Sequence, residues 1–240
     1  MIDLGAYKLV IFDKDGTLID FDAMWGGWVE ALAARLEVAT GRPLAPALFA
    51  ALGYDAALQH TLAGGPLAVK SMAALFDLTV QCLAEQGLAE PRAMACVQDV
   101  WFVPDVSATA RPLADLRALF SALHARGLQI AIATSDDRVP TLATLANLGV
   151  SDQVAFVVAA DEGVPLKPAP DMVWAACRAT GVEPGQTIVV GDALPELQMA
   201  RAAGAGLAVG VSNGVSRAEI LAPCADVVLT NVGELINACA

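Results

Sequence analysis

Two aspartates follow a short apolar run near the start of the chain, in the stretch KLVIFDKDGTLID over residues 8–20. Residues two apart in an extended chain project to the same side, so the carboxylates of Asp13 and Asp15 are expected to face one point beyond a strand. Two negative charges at one point are costly unless a cation lies between them, and a site made only of oxygen atoms suits Mg²⁺. The same residues also fit an Asp-Gly turn with solvated acids, and this motif alone leaves both interpretations open.

Two later motifs could meet a negatively charged group. In IAIATSDD, over residues 130–137, Thr134 and Ser135 open a predicted helix, where hydroxyls and free backbone N–H groups hold anions well. In LKPAPD, Lys167 stands in a turn made rigid by flanking prolines, as a fixed positive charge in an acidic chain. Each motif also has an ordinary interpretation, which is helix capping by Ser135 or Asp136 in the first and a surface lysine in the second.

A fourth motif, IVVGDALPE, places Asp192 directly after another apolar strand and Glu196 one helical turn later. Asp192 is a candidate to complete the metal site begun by Asp13 and Asp15. An aspartate that caps the following helix is the alternative, because such caps are common where a strand leads into a helix.

Short apolar runs predict the strands that must position these residues. The runs KLVIF (8–12), QIAIA (129–133) and TIVVG (187–191) are each followed by small or polar residues and then by a helical pattern. Further predicted strands span 153–160, 205–211 and 225–230, and predicted helices span 112–126, 138–148, 171–180 and 195–203. This alternation predicts an α/β fold with a doubly wound parallel sheet, which binds ligands at the carboxyl ends of its strands.

The segment between the first predicted strand and the later ones differs in composition and in its predicted secondary structure. Residues 20–108 are rich in Ala and Leu, with helical patterns over 22–39, 66–86 and 90–103 and no convincing strand. We therefore predict an inserted all-helical domain over 20–108, while 1–19 and 109–240 together form the α/β core domain. Phe21, Trp25 and Trp28 form one helical stripe, which either packs inside the insert or roofs a pocket.

Composition excludes several classes of partner. A net charge of −12 and a pI near 4.4 argue against a nucleic-acid partner, because no basic stripe could replace phosphate counterions. Hydrophobic residues make up 56% of the chain, yet every apolar run is interrupted before the ~18 residues that a membrane span needs, so no membrane association is predicted. Five widely spaced cysteines and no recognisable signal peptide indicate a cytoplasmic protein with reduced thiols.

The four motifs, in this order, resemble those of the haloacid dehalogenase superfamily. They are DKDGTLID, the turn at Thr134, LKPAPD and VVGDALPE. The segments ARAAGAG (200–206), VGVSNG (209–214) and CADVVLTNVGEL (224–235) are closest in style to the phosphoglycolate-phosphatase-like branch. The resemblance covers residues 7–20 and 109–240, whereas residues 20–108 match only in position and helicity, as a helical cap domain.

The resemblance implies a Mg²⁺-dependent phosphatase that hydrolyses a small phosphomonoester, of the phosphoglycolate or sugar-phosphate type, through an aspartyl-phosphate intermediate. Asp13 would be the nucleophile. Asp15 would protonate the leaving oxygen and then activate the hydrolytic water. The alternative is a phosphomutase on the same scaffold, which returns the phosphoryl group to a sugar. The leaving group and the oligomeric state do not follow from the sequence.

The resemblance also implies how the phosphoryl group and the metal ion are held. Thr134 and the N–H of Ser135 would bind phosphoryl oxygens, and Lys167 would balance the charge of the nucleophile and the phosphate. The residues expected at the metal ion are Asp13, Asp15 through its backbone carbonyl, and Asp192.

Three positions qualify the resemblance. Glu196 stands where the family often has aspartate, so its contact with metal-bound water is an open question. Asp136 adds negative charge near the expected phosphate, which is unfavourable unless its side chain points away. Asp15 argues against cleavage of carbon-halogen or carbon-phosphorus bonds, because the relatives that catalyse those reactions lack an aspartate at this position.

Overall fold

The computed structural model describes residues 4–62, 64–103 and 110–237, and it divides the chain into two compact units. One unit combines Met1–Asp20 with Val106–Ala240, and we call it the sheet unit. The other, Phe21–Asp105, is the inserted unit. The domain boundaries expected after residues 19 and 108 stay a prediction, and the second of them lies outside the described residues.

The described elements alternate between strand and helix in the sheet unit. In chain order the strands are β1 (Leu9–Phe12), β2 (Tyr54–Asp55), β3 (His60–Thr61), β4 (Gln129–Ala133), β5 (Phe156–Val158), β6 (Thr187–Gly191), β7 (Leu207–Val211) and β8 (Val227–Leu229). The helices are α1 (Phe21–Thr40), α2 (Ala45–Leu52), α3 (Pro66–Val69), α4 (Met72–Glu85), α5 (Glu90–Val100), α6 (Leu116–His124), α7 (Arg138–Asn147), α8 (Asp171–Thr180), α9 (Leu194–Ala203), α10 (Ala218–Leu221) and α11 (Glu234–Asn237).

Six strands form one parallel sheet in the order β5-β4-β1-β6-β7-β8. β1 is central, with Leu9 opposite Gln129 of β4 on one side and Thr187 of β6 on the other. All four residues of β1 are buried, as expected of a strand that is covered on both faces. The predicted α/β fold class is confirmed, and the strand order reverses at β1, where sheets of this kind bind ligands.

Helices bury the sheet on both sides. α6 turns Leu119, Phe120 and Leu123 inward, and the ring of Phe120 stacks on Phe12 of β1 at 5.5 Å between centroids. A second apolar cluster joins β1, β4, β6 and β7 to α8 and α9. The high apolar content is thus largely core. Of the helices that the structure describes, none combines the length and the apolar character required to span a membrane.

The inserted unit contains α1 to α5 and one small antiparallel ribbon. Tyr54 of β2 pairs with Thr61 of β3, which departs from the all-helical segment expected from the sequence. Each strand has two residues, too few for an alternating pattern to show. In α1, Trp25 and Trp28 are buried edge to face at 5.8 Å, and the Nε1 of Trp28 donates to the carbonyl of Phe102. This arrangement agrees with the packing interpretation of the aromatic stripe.

Asp226 ties three elements of the sheet unit together at the start of β8. Its carboxylate accepts hydrogen bonds from the N–H of Ala208 in β7 at 2.8 Å and from Arg201 of α9 at 2.7 Å. Burial alone would raise the pKa of Asp226, but the hydrogen bonds from Arg201 and Ala208 and the charge of Arg201 lower it below its usual value. The ionised form is therefore the one that the fold stabilises.

We expect Asp226→Asn to lower the free energy of unfolding by about 1 kcal/mol near pH 7, a value discounted because the side chain is partly exposed. A carboxyl with a lowered pKa in the folded state stabilises above its unfolded pKa, and this contribution is lost as the pH falls through the folded pKa. The difference between variant and wild type in urea unfolding should therefore shrink toward acid pH. A difference that stays constant from neutral to acid pH would contradict this assignment.

Candidate functional site

The loop after β1 begins with Asp13, whose N–H donates to the carbonyl of Val190 in β6 at 2.9 Å. The chain then turns tightly, and the N–H of Gly16 donates to the carbonyl of Ile19 at 2.8 Å. Gly16 has a φ of +85°, and a Cβ at this position would lie 2.2 Å from the carboxylate of Asp192. Only glycine allows this close approach, because any side chain would displace the Asp192 carboxylate.

Lys167 connects two carboxylates at the centre of the site. Its ammonium donates to Oδ1 of Asp13 in a very short contact and to Oε1 of Glu196 at 3.1 Å. The other oxygen of Glu196 accepts from the N–H of Ala193, in the turn that leads into α9. Burial alone would lower the pKa of Lys167, but the charges of Asp13 and Glu196 raise it above its usual value. Lys167 is thus a buried, charged ammonium between two acids.

Asp192 follows β6 and is almost fully buried. Its two carboxylate oxygens accept hydrogen bonds from the hydroxyl of Thr17 at 3.0 Å and from the N–H of Val215 at 2.7 Å. Burial raises the pKa of Asp192 well above its usual value, and the nearby charges of Asp13 and Glu196 raise it further. These effects show that the three acids lie within electrostatic reach of one another.

The charges in this cluster fit a divalent cation. Asp13, Asp192 and Glu196 together carry three negative charges when ionised, whereas Lys167 supplies one positive charge. A hard ion with two positive charges would balance the remainder, and oxygen atoms are its preferred ligands. Among the residues that the structure describes, no group of three or more Asp, Glu, His or Cys side chains is arranged to hold a metal ion by itself.

Thr134 and Ser135 follow β4, the strand next to β1. The N–H of Thr134 donates to the carbonyl of Val158 at 3.0 Å, and its buried hydroxyl accepts from the N–H of Asp136 at 3.1 Å. Ser135 is exposed. Since β4, β1 and β6 are adjacent and parallel, Thr134, Asp13 and Asp192 lie at the same edge of the sheet. Their roles in binding a phosphoryl group stay predictions.

Asp15 differs from Asp13 in its partners. The spacing in the sequence predicts both carboxylates on one side of an extended chain, but β1 ends at Phe12 and the following residues turn. Oδ1 of Asp15 accepts from the ammonium of Lys14 at 2.6 Å, whereas Asp13 pairs with Lys167. Burial raises the pKa of Asp15, Lys14 opposes that shift, and the charges of Asp136 and Asp13 add to it, giving a value of about 7. Asp15 can therefore exchange a proton near neutral pH.

Sequence reasoning missed Lys14. Its side chain is fully buried, and its ammonium also contacts Oδ2 of Asp136 at 2.9 Å. This contact pairs the extra negative charge of Asp136 with an ammonium. A lysine between two aspartates in a predicted loop was the available signal, but its partner 122 residues away depends on the fold.

Together these groups provide a buried carboxylate held by an ammonium, a second carboxyl whose pKa is raised by burial, and hydroxyl and N–H groups at the same edge of the sheet. A carboxylate that can act as a nucleophile, beside a second carboxyl that can give and take a proton, can transfer an anionic group to the enzyme and then to water.

Comparison with known proteins identifies relatives of the chain. The family described as haloacid dehalogenase-like hydrolase matches residues 7–204. A phosphoglycolate phosphatase from Rhodospirillum rubrum is 30% identical over 89% of this chain and 83% of its own length. The fructose-1-phosphate phosphatase YqaB of Escherichia coli is 30% identical over 82% of this chain and 93% of its own. The structure of a haloacid dehalogenase superfamily hydrolase from Geobacter sulfurreducens aligns with a TM-score of 0.65 at 17% identity, covering 99% of each chain.

Proposed function

The chain belongs to the haloacid dehalogenase-like hydrolases and is a phosphatase of that family, and from this premise we propose that it hydrolyses a small phosphomonoester with Mg²⁺ through an aspartyl-phosphate intermediate. The resemblance to phosphoglycolate phosphatases seen in the sequence is confirmed. The observation that best supports the proposal is the contact of Lys167 with Asp13 inside a buried cluster of acids.

The first proposed step transfers the phosphoryl group to the enzyme. A carboxylate oxygen of Asp13 attacks phosphorus, and the bond between phosphorus and the leaving oxygen breaks. Asp15 gives its proton to the leaving oxygen, which departs as an alcohol. Lys167, the Thr134 hydroxyl and the N–H of Ser135 offset the charge on the phosphoryl oxygens during this transfer.

The second proposed step releases phosphate and restores the enzyme. Asp15, now ionised, takes a proton from water as the water oxygen attacks phosphorus. The bond between phosphorus and the Asp13 oxygen breaks, which leaves inorganic phosphate and the original carboxylate. Asp15 ends protonated, as it began, with a proton taken from water in place of the one that left with the alcohol, so the cycle balances.

We assign the metal ion to Asp13, Asp192 and the backbone carbonyl of Asp15. Mg²⁺ bound there would supply positive charge that keeps Asp13 ionised and offsets the charge on phosphate oxygens. Glu196 binds Lys167 and the N–H of Ala193, so its first function in this proposal is to fix the ammonium.

The substrate in this proposal is a small phosphorylated metabolite. The two curated relatives that are 30% identical are named for phosphoglycolate and fructose 1-phosphate, which are both small phosphomonoesters. These relatives favour a phosphatase over the phosphomutase alternative. We further propose that residues 20–108 act as a cap domain that selects the leaving group.

A panel of phosphorylated metabolites tests this function. We expect release of inorganic phosphate from at least one small phosphomonoester, a loss of at least about a hundredfold after chelation with EDTA, and recovery when Mg²⁺ is added. Undiminished activity in EDTA would overturn the metal assignment. Conversion of a sugar phosphate to its isomer without phosphate release would establish the mutase instead.

A further inference from the structure

The contacts of Lys14 go beyond what the proposed reaction steps use. Its ammonium lies between Oδ1 of Asp15 at 2.6 Å and Oδ2 of Asp136 at 2.9 Å, and only 1% of its side chain is exposed. Burying a lysine is expensive, and a buried ion pair is often no more stable than an apolar replacement. Stability therefore does not by itself account for a buried lysine in this loop.

Asp136 is fixed through its backbone from two directions. Its N–H donates to the hydroxyl of Thr134 at 3.1 Å, and its carbonyl accepts from the N–H of Ala160 at 2.9 Å. These contacts tie Asp136 to the ends of β4 and β5, which are neighbouring strands of the rigid sheet. The sheet therefore fixes Asp136, Asp136 holds the ammonium of Lys14, and Lys14 holds the carboxyl of Asp15.

We propose that Lys14 and Asp136 are positioning residues that hold the Asp15 carboxyl in the orientation needed for proton transfer. Because Lys14 occupies Oδ1, the proton that Asp15 exchanges with the leaving oxygen and with water is carried by Oδ2. The ammonium of Lys14 also offsets the negative charge of Asp136 beside Asp15. This inference rests on the proposed function, in which Asp15 is the acid and base.

The contacts of Lys14 and Asp136 should affect the rate most for esters whose leaving group needs a proton. Phenyl phosphate releases a poor leaving group that needs a proton, whereas p-nitrophenyl phosphate releases a good one that needs little help. The two esters are similar in shape. For each we would measure kcat/KM, which reports the steps up to and including the first phosphoryl transfer. A misplaced acid slows the first ester more than the second, whereas general structural damage slows both alike.

The main variant is Asp136→Asn, because its side chain is partly exposed and the change is isosteric. We expect kcat/KM for phenyl phosphate to fall about thirtyfold and that for p-nitrophenyl phosphate to fall about threefold or less. Asp136→Glu should recover part of the loss by restoring a carboxylate. Asp137→Asn is the matched control, since it makes the same change one residue along, on an exposed side chain, and should leave both values unchanged.

Lys14→Met is the second variant and removes the ammonium while keeping most of the side-chain volume. It should show the same selective loss, larger than that of Asp136→Asn, and urea unfolding checks that the variant is folded, because two carboxylates lose their ammonium. Equal losses on both esters, or none, in Asp136→Asn would overturn the proposal. A wild-type protein that releases phosphate from neither ester and from no member of the metabolite panel would overturn the proposed function itself, which separates the two failures.

Discussion

Asp13→Asn is expected to lose at least about 10⁴-fold in kcat while the protein stays folded. An amide oxygen cannot displace the leaving group from phosphorus, so no aspartyl-phosphate can form. The amide oxygen of asparagine can still accept the hydrogen bond from Lys167, which also keeps its contact with Glu196. Steady-state phosphate release measures the loss, and residual turnover above about 1% of wild type would refute Asp13 as the nucleophile.

The same variant should be at least as stable as the wild type when no divalent cation is added. Burial raises the pKa values of both Asp192 and Glu196, and the charge of Asp13 raises them further, because these buried acids repel one another when ionised. Removing one negative charge relieves that repulsion, as often happens when a catalytic group is replaced. Thermal unfolding in EDTA measures this effect, with Asp152→Asn on the exposed surface as the matched control. A large fall in Tm for Asp13→Asn would contradict the crowding of charge described above.

Lys167→Met is expected to lower both the catalytic rate and the stability of the protein. Asp13, Asp192 and Glu196 would then share a buried site without a compensating ammonium, and loss of one partner from a buried ion pair costs about 3 kcal/mol or more. Catalysis should fall about a thousandfold, since the charge that offsets the phosphoryl oxygens is gone.

Urea unfolding and kcat, each with and without Mg²⁺, test the Lys167 prediction. Mg²⁺ should restore part of the lost stability, because an ion that binds the folded state stabilises it. Lys8→Met is the control, as it makes the same change on an exposed side chain. Wild-type stability and turnover in Lys167→Met would remove this lysine from the charge balance of the site.

The strands that position the site followed closely from the sequence. The segments 129–133 and 187–191 were predicted with the bounds that the structure shows, and β1 begins one residue later than expected. Each is an uninterrupted apolar run, which is the pattern required of a strand buried on both faces. The ribbon of β2 and β3 was not predictable, because two-residue strands carry no periodic signal.

Within the candidate site, position along the chain was predictable and side-chain direction was not. The sequence predicts Asp13, Thr134 and Asp192 at the carboxyl ends of parallel strands, and the structure has them there, on three strands that are neighbours. The direction of Asp15 depended on where β1 ended, and the partner of Lys14 depended on the approach of a loop 122 residues away. Such contacts arise from the packing of loops, which local patterns do not encode.

The central place of β1 has a consequence for how the protein is made. The strand that precedes Asp13 leaves the ribosome before its hydrogen-bonding partners, which begin at Gln129 and Thr187. Until those segments have been synthesised, the sequence LVIF has no native strand to pair with. In the nascent chain it is an exposed apolar segment with unpaired backbone groups, which can associate with other chains. Pairing across such long sequence separations also makes folding slow. We therefore expect a chaperone to assist this protein during synthesis.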